Sequence, residues 1–343
     1  MKKRKDGLYE KVITLPNGKR KHFYSSETTE KKAEKDIQKQ MIEYKGEAQK
    51  GKLFSEIADE WWNQHYEQVS YATRVRYNTY INTAVSYLGE LHISKINVEI
   101  IQNVINDMAR RGYSAKTMTD QLSIIKQIFK YSLLKNYIAK DVTQFIKISG
   151  GKKSTKREAL TDDEIKTINK SMHCTFGLLA YFLLYTGLRK GEALALQWKD
   201  INFDEKIITV NKSVYYESNT PYLKTPKTAA GIRRVILLDN LSSVLQKGDP
   251  DEFIFGRNGS LMDKTHYTRC WEKYLKETGL KITAHQLRHT YATILFEAGI
   301  SEKDAQNLLG HADISTTHNI YTHIRQKHFN ETATRLNNFI SGN

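Results

Sequence analysis

The first regular pattern along the chain is a short alternation. LYEKVITL and KRKHFYS flank PNGK, and β-prone residues around a Pro-Asn-Gly turn predict a hairpin within residues 1–23. Thr28 or Thr29 then caps a charged helix that runs to about residue 48. From Leu53 to about Ile148 the period becomes helical. Phe54, Ile57, Ala58, Trp61 and Trp62 recur at i, i+3 and i+4, as do Ile100, Ile101, Val104, Ile105 and Met108. Another helix starts at Ser114, with Leu122, Ile125, Ile128 and Phe129 on one stripe. Four or so such helices make a compact bundle, and Trp61 and Trp62 belong to its core.

SGGKKSTKR (149–157) breaks the pattern with Gly, Ser and four basic residues and reads as a linker able to follow a phosphate backbone. Beyond it, Thr161 and Glu164 form a capping box. FGLLAYFLLY (176–185) is apolar throughout, which suits a buried helix and is too short to span a bilayer. KIITV (206–210), SVYYE (213–217) and IRRVIL (232–237) predict a small three-stranded antiparallel sheet, with NTPYLKTPKTAAG as its turns. Helices resume near 264 and continue to the end. The expected architecture is multidomain and mainly α with small β-sheets. A β-hairpin/helix unit (1–50) precedes a helical bundle (54–148), the basic linker (149–157) and a mostly α domain with the three-stranded sheet and a tail helix (158–343).

Charge narrows the choice of partner. Lys and Arg number 53 against 38 Asp and Glu, a formal +15, which favours nucleic acid over an anionic membrane surface. Taken alone, the basic N-terminal hairpin is either a solvated face or a DNA-binding arm. Cys174 and Cys270 are the only cysteines, so a disulfide framework or Cys-rich zinc site is excluded and a reducing cytosol fits. MKKRK is not followed by the apolar core of a signal peptide.

Near the C-terminus GHADISTTHNIYTH (310–323) gathers three histidines and a tyrosine. A metal site is disfavoured: HExxH is absent, and His311, His318 and His323 are spaced poorly for one helix face. No GK is followed by Ser or Thr, so a P-loop is missing as well. In ITAHQLRHTYAT (282–293) Thr283 and Gln286 form a second capping box. His285 and Arg288 then share a face near a helix N-terminus, which favours an anion. In TGLRKGEALAL (186–196) Gly187 ends the buried helix, Arg189 projects from the turn, and Glu192 can hold its guanidinium. Alone, that pair reads better as structural.

Taken in order, the Arg of TGLRKGEAL, the Lys of PKT, HxxR, the His of LLGH and the Tyr of NIY resemble the tyrosine recombinase (phage integrase) family over roughly residues 54–340. The N-terminal unit looks like the arm-binding domain of integrases from conjugative transposons and related phages. The resemblance implies that Tyr321 is the nucleophile, giving a 3′-phosphotyrosyl link, and that Arg189 and Arg288 bind non-bridging oxygens. It further implies that Lys227, chosen over Lys224, protonates the leaving 5′-oxygen, that His285 assists proton transfer, that His311 hydrogen-bonds the phosphate, and that Glu192 supports the site. His318 and His323 then read as surface or packing residues. Lys19, Arg20, Lys21, Lys152, Lys153, Lys156 and Arg157 are candidate DNA contacts.

The implied enzyme needs no cofactor, metal or ATP. Its partners would be core and arm sites on double-stranded DNA, three more copies in a homotetramer with exchange of C-terminal tails, and an excisionase or other DNA-bending protein. No membrane is implied; the setting would be the bacterial cytoplasm, at the nucleoid. Phe329, Ala333, Leu336 and Ile340 give the tail an apolar stripe. The rival readings are a Xer-like chromosome or plasmid dimer resolvase, a type IB topoisomerase and a non-catalytic DNA-binding regulator.

Overall fold

The computed structural model of the protein describes residues 1–4, 6–14, 20–48, 52–152, 158–225, 231–311 and 313–341. The chain divides into two compact units, residues 1–155 and 156–343.

In the first unit, strands β1 (Lys2–Lys3), β2 (Tyr9–Thr14) and β3 (Arg20–Ser25) form an antiparallel sheet in that order. The expected hairpin is β2–β3, registered Tyr9↔Ser25 and Lys11↔Phe23, and β1 adds an edge the pattern did not reveal. Helix α1 (Glu30–Ala48) buries Ala33 and Ile37 against Tyr9 and Phe23. Because strand side chains alternate, Arg20 stays exposed on β3 while Phe23 turns inward; Lys21 is exposed as well.

The bundle consists of α2 (Phe54–His65), α3 (Tyr71–Leu88), α4 (Val98–Arg110) and α5 (Ala115–Leu134). Asn97 caps α4 by accepting from the Ile100 N–H, and Ser114 caps α5 by accepting from the Thr117 N–H. Phe54, Ile57, Trp61, Ile101, Ile105, Ile125, Ile128 and Phe129 fill the interior, as their spacing predicts. Trp62 lies at its margin, edge-on to Tyr66.

The second unit begins with α6 (Asp162–Lys170), whose Thr161–Glu164 box is formed in both directions. Helix α7 (Gly177–Thr186) is buried on nearly every side and stops at Gly187, φ +64°. A Cβ at Gly187 would lie 2.2 Å from a Tyr291 ring carbon, so glycine is required there for space as well as for backbone angle. Then follow α8 (Lys190–Ala193), β4 (Ile201–Asn202), β5 (Ile207–Val210), β6 (Ser213–Glu217), β7 (Thr220–Lys224) and β8 (Arg233–Ile236). Helices α9 (Asp239–Ser242), α10 (Lys264–Thr278), α11 (Ala284–Glu297), α12 (Glu302–Leu309) and α13 (Ile314–Ser341) complete it.

The three-stranded antiparallel sheet is present, with one change of membership. Its order is β4–β5–β8, so Ile201–Asn202 supplies the third strand. SVYYE, expected in that sheet, instead pairs with Thr220–Lys224 as a separate hairpin, β6–β7. TPYLK is therefore a strand and not part of a turn. Pro221 is tolerated within it because a two-stranded ribbon has only edges, where a missing N–H costs little. The rest of the predicted turn, residues 226–230, lies outside the described residues.

Candidate active site

Three arginines from three elements converge in the second unit. Arg189 precedes α8, and its Nη1 donates to Glu192 Oε1 at 2.8 Å while its backbone N–H donates to Oε2. Arg288 lies in α11, 4 % exposed, and donates from Nη1 to the Gly187 carbonyl at 2.8 Å and from Nη2 to the Leu309 carbonyl at 2.6 Å. Arg233 reaches in from β8, donating to both Glu192 oxygens and, through Nε, to the Leu308 carbonyl at 2.8 Å. Arg189 Nη2 completes the set by donating to the Gly310 carbonyl at 3.2 Å.

Glu192 is the carboxylate that Arg189 and Arg233 share. Burial alone would raise its pKa, but hydrogen bonds and charge from Arg233 and Arg189 outweigh that and hold it below the usual range. Burial pulls the Arg288 pKa down and Arg189 adds to the effect, so positive charge is concentrated beyond what Glu192 neutralises. His285, in the first turn of α11 after the Thr283–Gln286 capping box, is held below the ordinary histidine value by desolvation and then by Arg288 and Arg189. His311 follows Gly310 at the end of α12, its Nδ1 2.8 Å from Thr317 Oγ1. Desolvation and the charges of Arg288, Arg189 and Arg233 lower its pKa to about 4. The cluster is thus cationic and is flanked by two imidazoles whose pKa values are lowered. It suits an anion with several acceptor oxygens, since planar guanidiniums bind such groups through paired N–H bonds.

Tyr321 is not brought to this cluster. Its ring, 2 % exposed, packs among Tyr291, Leu295, Ala305 and Leu309 and meets Phe296 edge-on at 5.1 Å. The hydroxyl donates to the Ile300 carbonyl at 3.2 Å. Burial raises its pKa and Glu302 raises it further, while Arg325 lowers it. Glu302 pairs with His318 and Arg325, each at 3.0 Å, so α13 is clasped to α12 on either side of Tyr321.

The other predicted residues are spread out. Lys224 ends β7, with Nζ 5.6 Å from the Tyr215 ring centroid. Lys227, Lys19, Lys153, Lys156 and Arg157 lie outside the described residues. Lys152 is exposed and forms an isolated bridge with Ser114. His318 is a surface residue paired with Glu302, and the His323 side chain lies outside the description. Among the described residues no group of three or more metal-ligating side chains occurs, and no helix is long and apolar enough to cross a membrane.

Arg233 was missed from sequence. Its signal was present: in a strand where Val235 faces the core, Arg233 two residues earlier must face the same way.

Guanidiniums gathered at one point on a helical fold define a class of site suited to a multiply charged oxyanion. The profile described as "Phage integrase family" matches residues 158–328, and "Phage integrase, N-terminal SAM-like domain" matches residues 53–109. A "Tyrosine recombinase XerC-like" protein of Caldanaerobacter subterraneus subsp. tengcongensis is 32% identical over 304 residues, 78% of each chain. The "Integrase" of Staphylococcus phage L54a is 25% identical over 84% of this chain and 93% of its own. The solved Tn1549 transposon integrase, in complex with a circular intermediate DNA, shares the fold with a TM-score of 0.66 at 19% identity, covering 79% of this chain and 95% of that one. The chain belongs to the phage integrase family. It is a tyrosine recombinase, an enzyme of site-specific DNA recombination.

Proposed function

We propose that the chain is the integrase of a mobile element, cutting and rejoining DNA through a 3′-phosphotyrosyl link and a Holliday junction. The observation that carries the reading is the convergence of Arg189 and Arg288 on successive carbonyls at the end of α12, Gly310 and Leu309, beside two imidazoles whose pKa values are lowered. In this reading the scissile phosphate sits against Arg189, Arg288 and His311, Tyr321 attacks phosphorus, His285 assists removal of its proton, and Lys227 protonates the leaving 5′-oxygen. A tyrosine hydroxyl with a pKa near ~10 is a poor nucleophile at neutral pH, so it needs both the base and the positive field. One phosphoester replaces another, so no external energy source is consumed, and the guanidiniums supply the charge that a metal supplies elsewhere.

The N-terminal unit would bind arm sites through Arg20 and Lys21, while the bundle (54–148) and the domain beginning at 158 clamp the core site with the basic linker between them. Four copies would assemble, passing their tails from one to the next. Phe329, Leu336 and Ile340 of the apolar stripe are all exposed on the single chain, which favours docking in trans. An excisionase or other DNA-bending protein would set direction, in the bacterial cytoplasm at the nucleoid.

The test is covalent trapping. The protein is incubated with nicked duplexes tiled across both ends of its encoding element, with EDTA and without ATP, and run on a denaturing gel. A slow band on one discrete fragment, absent for Tyr321→Phe, is the expected result. Tight binding with no band on any fragment would return the protein to the regulator reading. The similarity to the XerC-like protein favours dimer resolution as the second reading. That reading predicts trapping on a plasmid or chromosomal site away from the element ends.

A further inference from the structure

We propose that Arg233 is a positioning residue of the recombination site, tying the carboxylate that orients Arg189 to the end of the helix that delivers His311. The inference rests on the phosphate-site reading above and names a residue that reading does not use.

Arg233 is spent on protein. Its side chain is 5 % exposed against 47 % for Arg189, and each of its three nitrogens has a partner: Nε the Leu308 carbonyl, Nη1 and Nη2 the two oxygens of Glu192. With Nε, Nη1 and Nη2 all engaged by protein, this guanidinium is committed to the fold and not placed to meet a phosphate directly. Its effect must pass through the groups it holds.

Those groups lead to the site from two directions. Glu192 is the carboxylate to which Arg189 donates from both side chain and backbone, so its position fixes where the more exposed guanidinium points. Leu308 is the first of three consecutive residues at the C-terminus of α12 whose carbonyls each accept from a different arginine: Leu308 from Arg233, Leu309 from Arg288, Gly310 from Arg189. A helix leaves its last carbonyls without backbone donors, and these guanidiniums take that place. His311 is the next residue. Gly310 admits the arrangement, since a Cβ there would lie 2.8 Å from Arg233 Cδ. The charge of Arg233 is also among the causes that lower the His311 pKa.

The test uses the full chain and Arg233→Met, with thermal melting to establish folding. Single-turnover covalent cleavage of the nicked duplexes is measured beside affinity for the same duplexes. Cleavage is expected to slow by about 100-fold, the scale of a small misplacement of reacting groups, with affinity held within about threefold. If the Met variant does not fold, Arg233→Lys replaces it, and at least about a tenfold loss is expected because an ammonium cannot keep the bidentate pair. A folded variant that cleaves within about threefold of the parent chain, or whose rate falls only in step with affinity, overturns the proposal.

A second readout needs no cleavage. In histidine-labelled spectra of the free protein, the ring resonance assigned by its loss in His311→Gln is expected to shift in the Arg233 variant while that of His173 stays put. An unmoved His311 resonance overturns the positioning role, even if the parent chain cuts no fragment and the recombination-site reading fails separately.

Discussion

His311 carries the clearest electrostatic signature of the site. Burial first, then Arg288, Arg189, Arg233 and His285, lower its pKa from the ordinary 6.5 to about 4. In the unfolded chain the ordinary value returns. Between 6.5 and about 4 the unfolded state therefore binds the extra proton, so stability falls as pH drops through that window, and the loss is complete below the folded value. Urea denaturation at pH 7 and pH 5 should show a decline that His311→Gln makes shallower. Because three of the causes are positive charges, an anion among them should restore part of the proton affinity. Titration of the His311 ring resonance with and without inorganic phosphate is expected to give a higher pKa with phosphate. An unchanged value at saturation would mean that the anion binds elsewhere.

At the scale of elements, the end of α12 does two jobs: its carbonyls seat the arginines, and its turn releases His311 toward Thr317 on α13. Gly310 makes the turn at φ +66°. Gly310→Ala puts an L-residue in a left-handed conformation against Arg233, and it should cost about 1–2 kcal/mol in urea denaturation from the backbone alone. Cleavage should fall as well, since the added methyl displaces the same guanidinium. Tyr321 is docked away from the arginines while Glu302 ties α13 to α12 through His318 and Arg325, so on the proposed reading attack would require the start of α13 to move. Weakening that clasp with Glu302→Ala should raise covalent trapping on a single nicked site by about two- to fivefold, in keeping with exposed ion pairs. Equal trapping would mean that the docked tyrosine is not what limits the reaction.

Legibility in the sequence follows the range of the interaction. The Thr161–Glu164 and Thr283–Gln286 boxes and the stop at Gly187 are written within a few residues, and each appears where the pattern places it. The Arg189–Glu192 pair is equally local, and it is formed. Strand partnership is a tertiary choice, so SVYYE was expected in the wrong sheet and TPYLK among the turns, whereas IRRVIL pairs where expected. Arg233 stood inside a correctly placed strand, and alternation with Val235 marks it as inward-facing while Arg234 is exposed, but its partner Glu192 is 41 residues away, so its role could not be read locally. Spacing alone left Tyr321 unplaced. The same alternation of i, i+3 and i+4 serves a tyrosine aimed at a phosphate and one docked against Phe296.

For the whole molecule the question is what covers the end of α13. A soluble chain seldom leaves large apolar side chains in a row on one helix unless they meet a partner. Phe329, Leu336, Phe339 and Ile340 are exposed, the last two at 86 % and 79 %. Against this the surface carries a formal +15, which sets copies of the chain apart until a polyanion neutralises them. Tail docking between copies should therefore follow DNA binding and not precede it. Phe339→Ser with Ile340→Ser tests that order. Since neither side chain is buried in the single chain, thermal stability should change by no more than about 0.5 kcal/mol, and affinity for a duplex carrying one site should be unaltered. Sedimentation on a duplex carrying two inverted sites should show the parent chain assembling further and the variant stopping at single occupancy of each site. If instead the variant melts earlier and assembles normally, the tail docks on its own domain, and contact between copies must come from another surface.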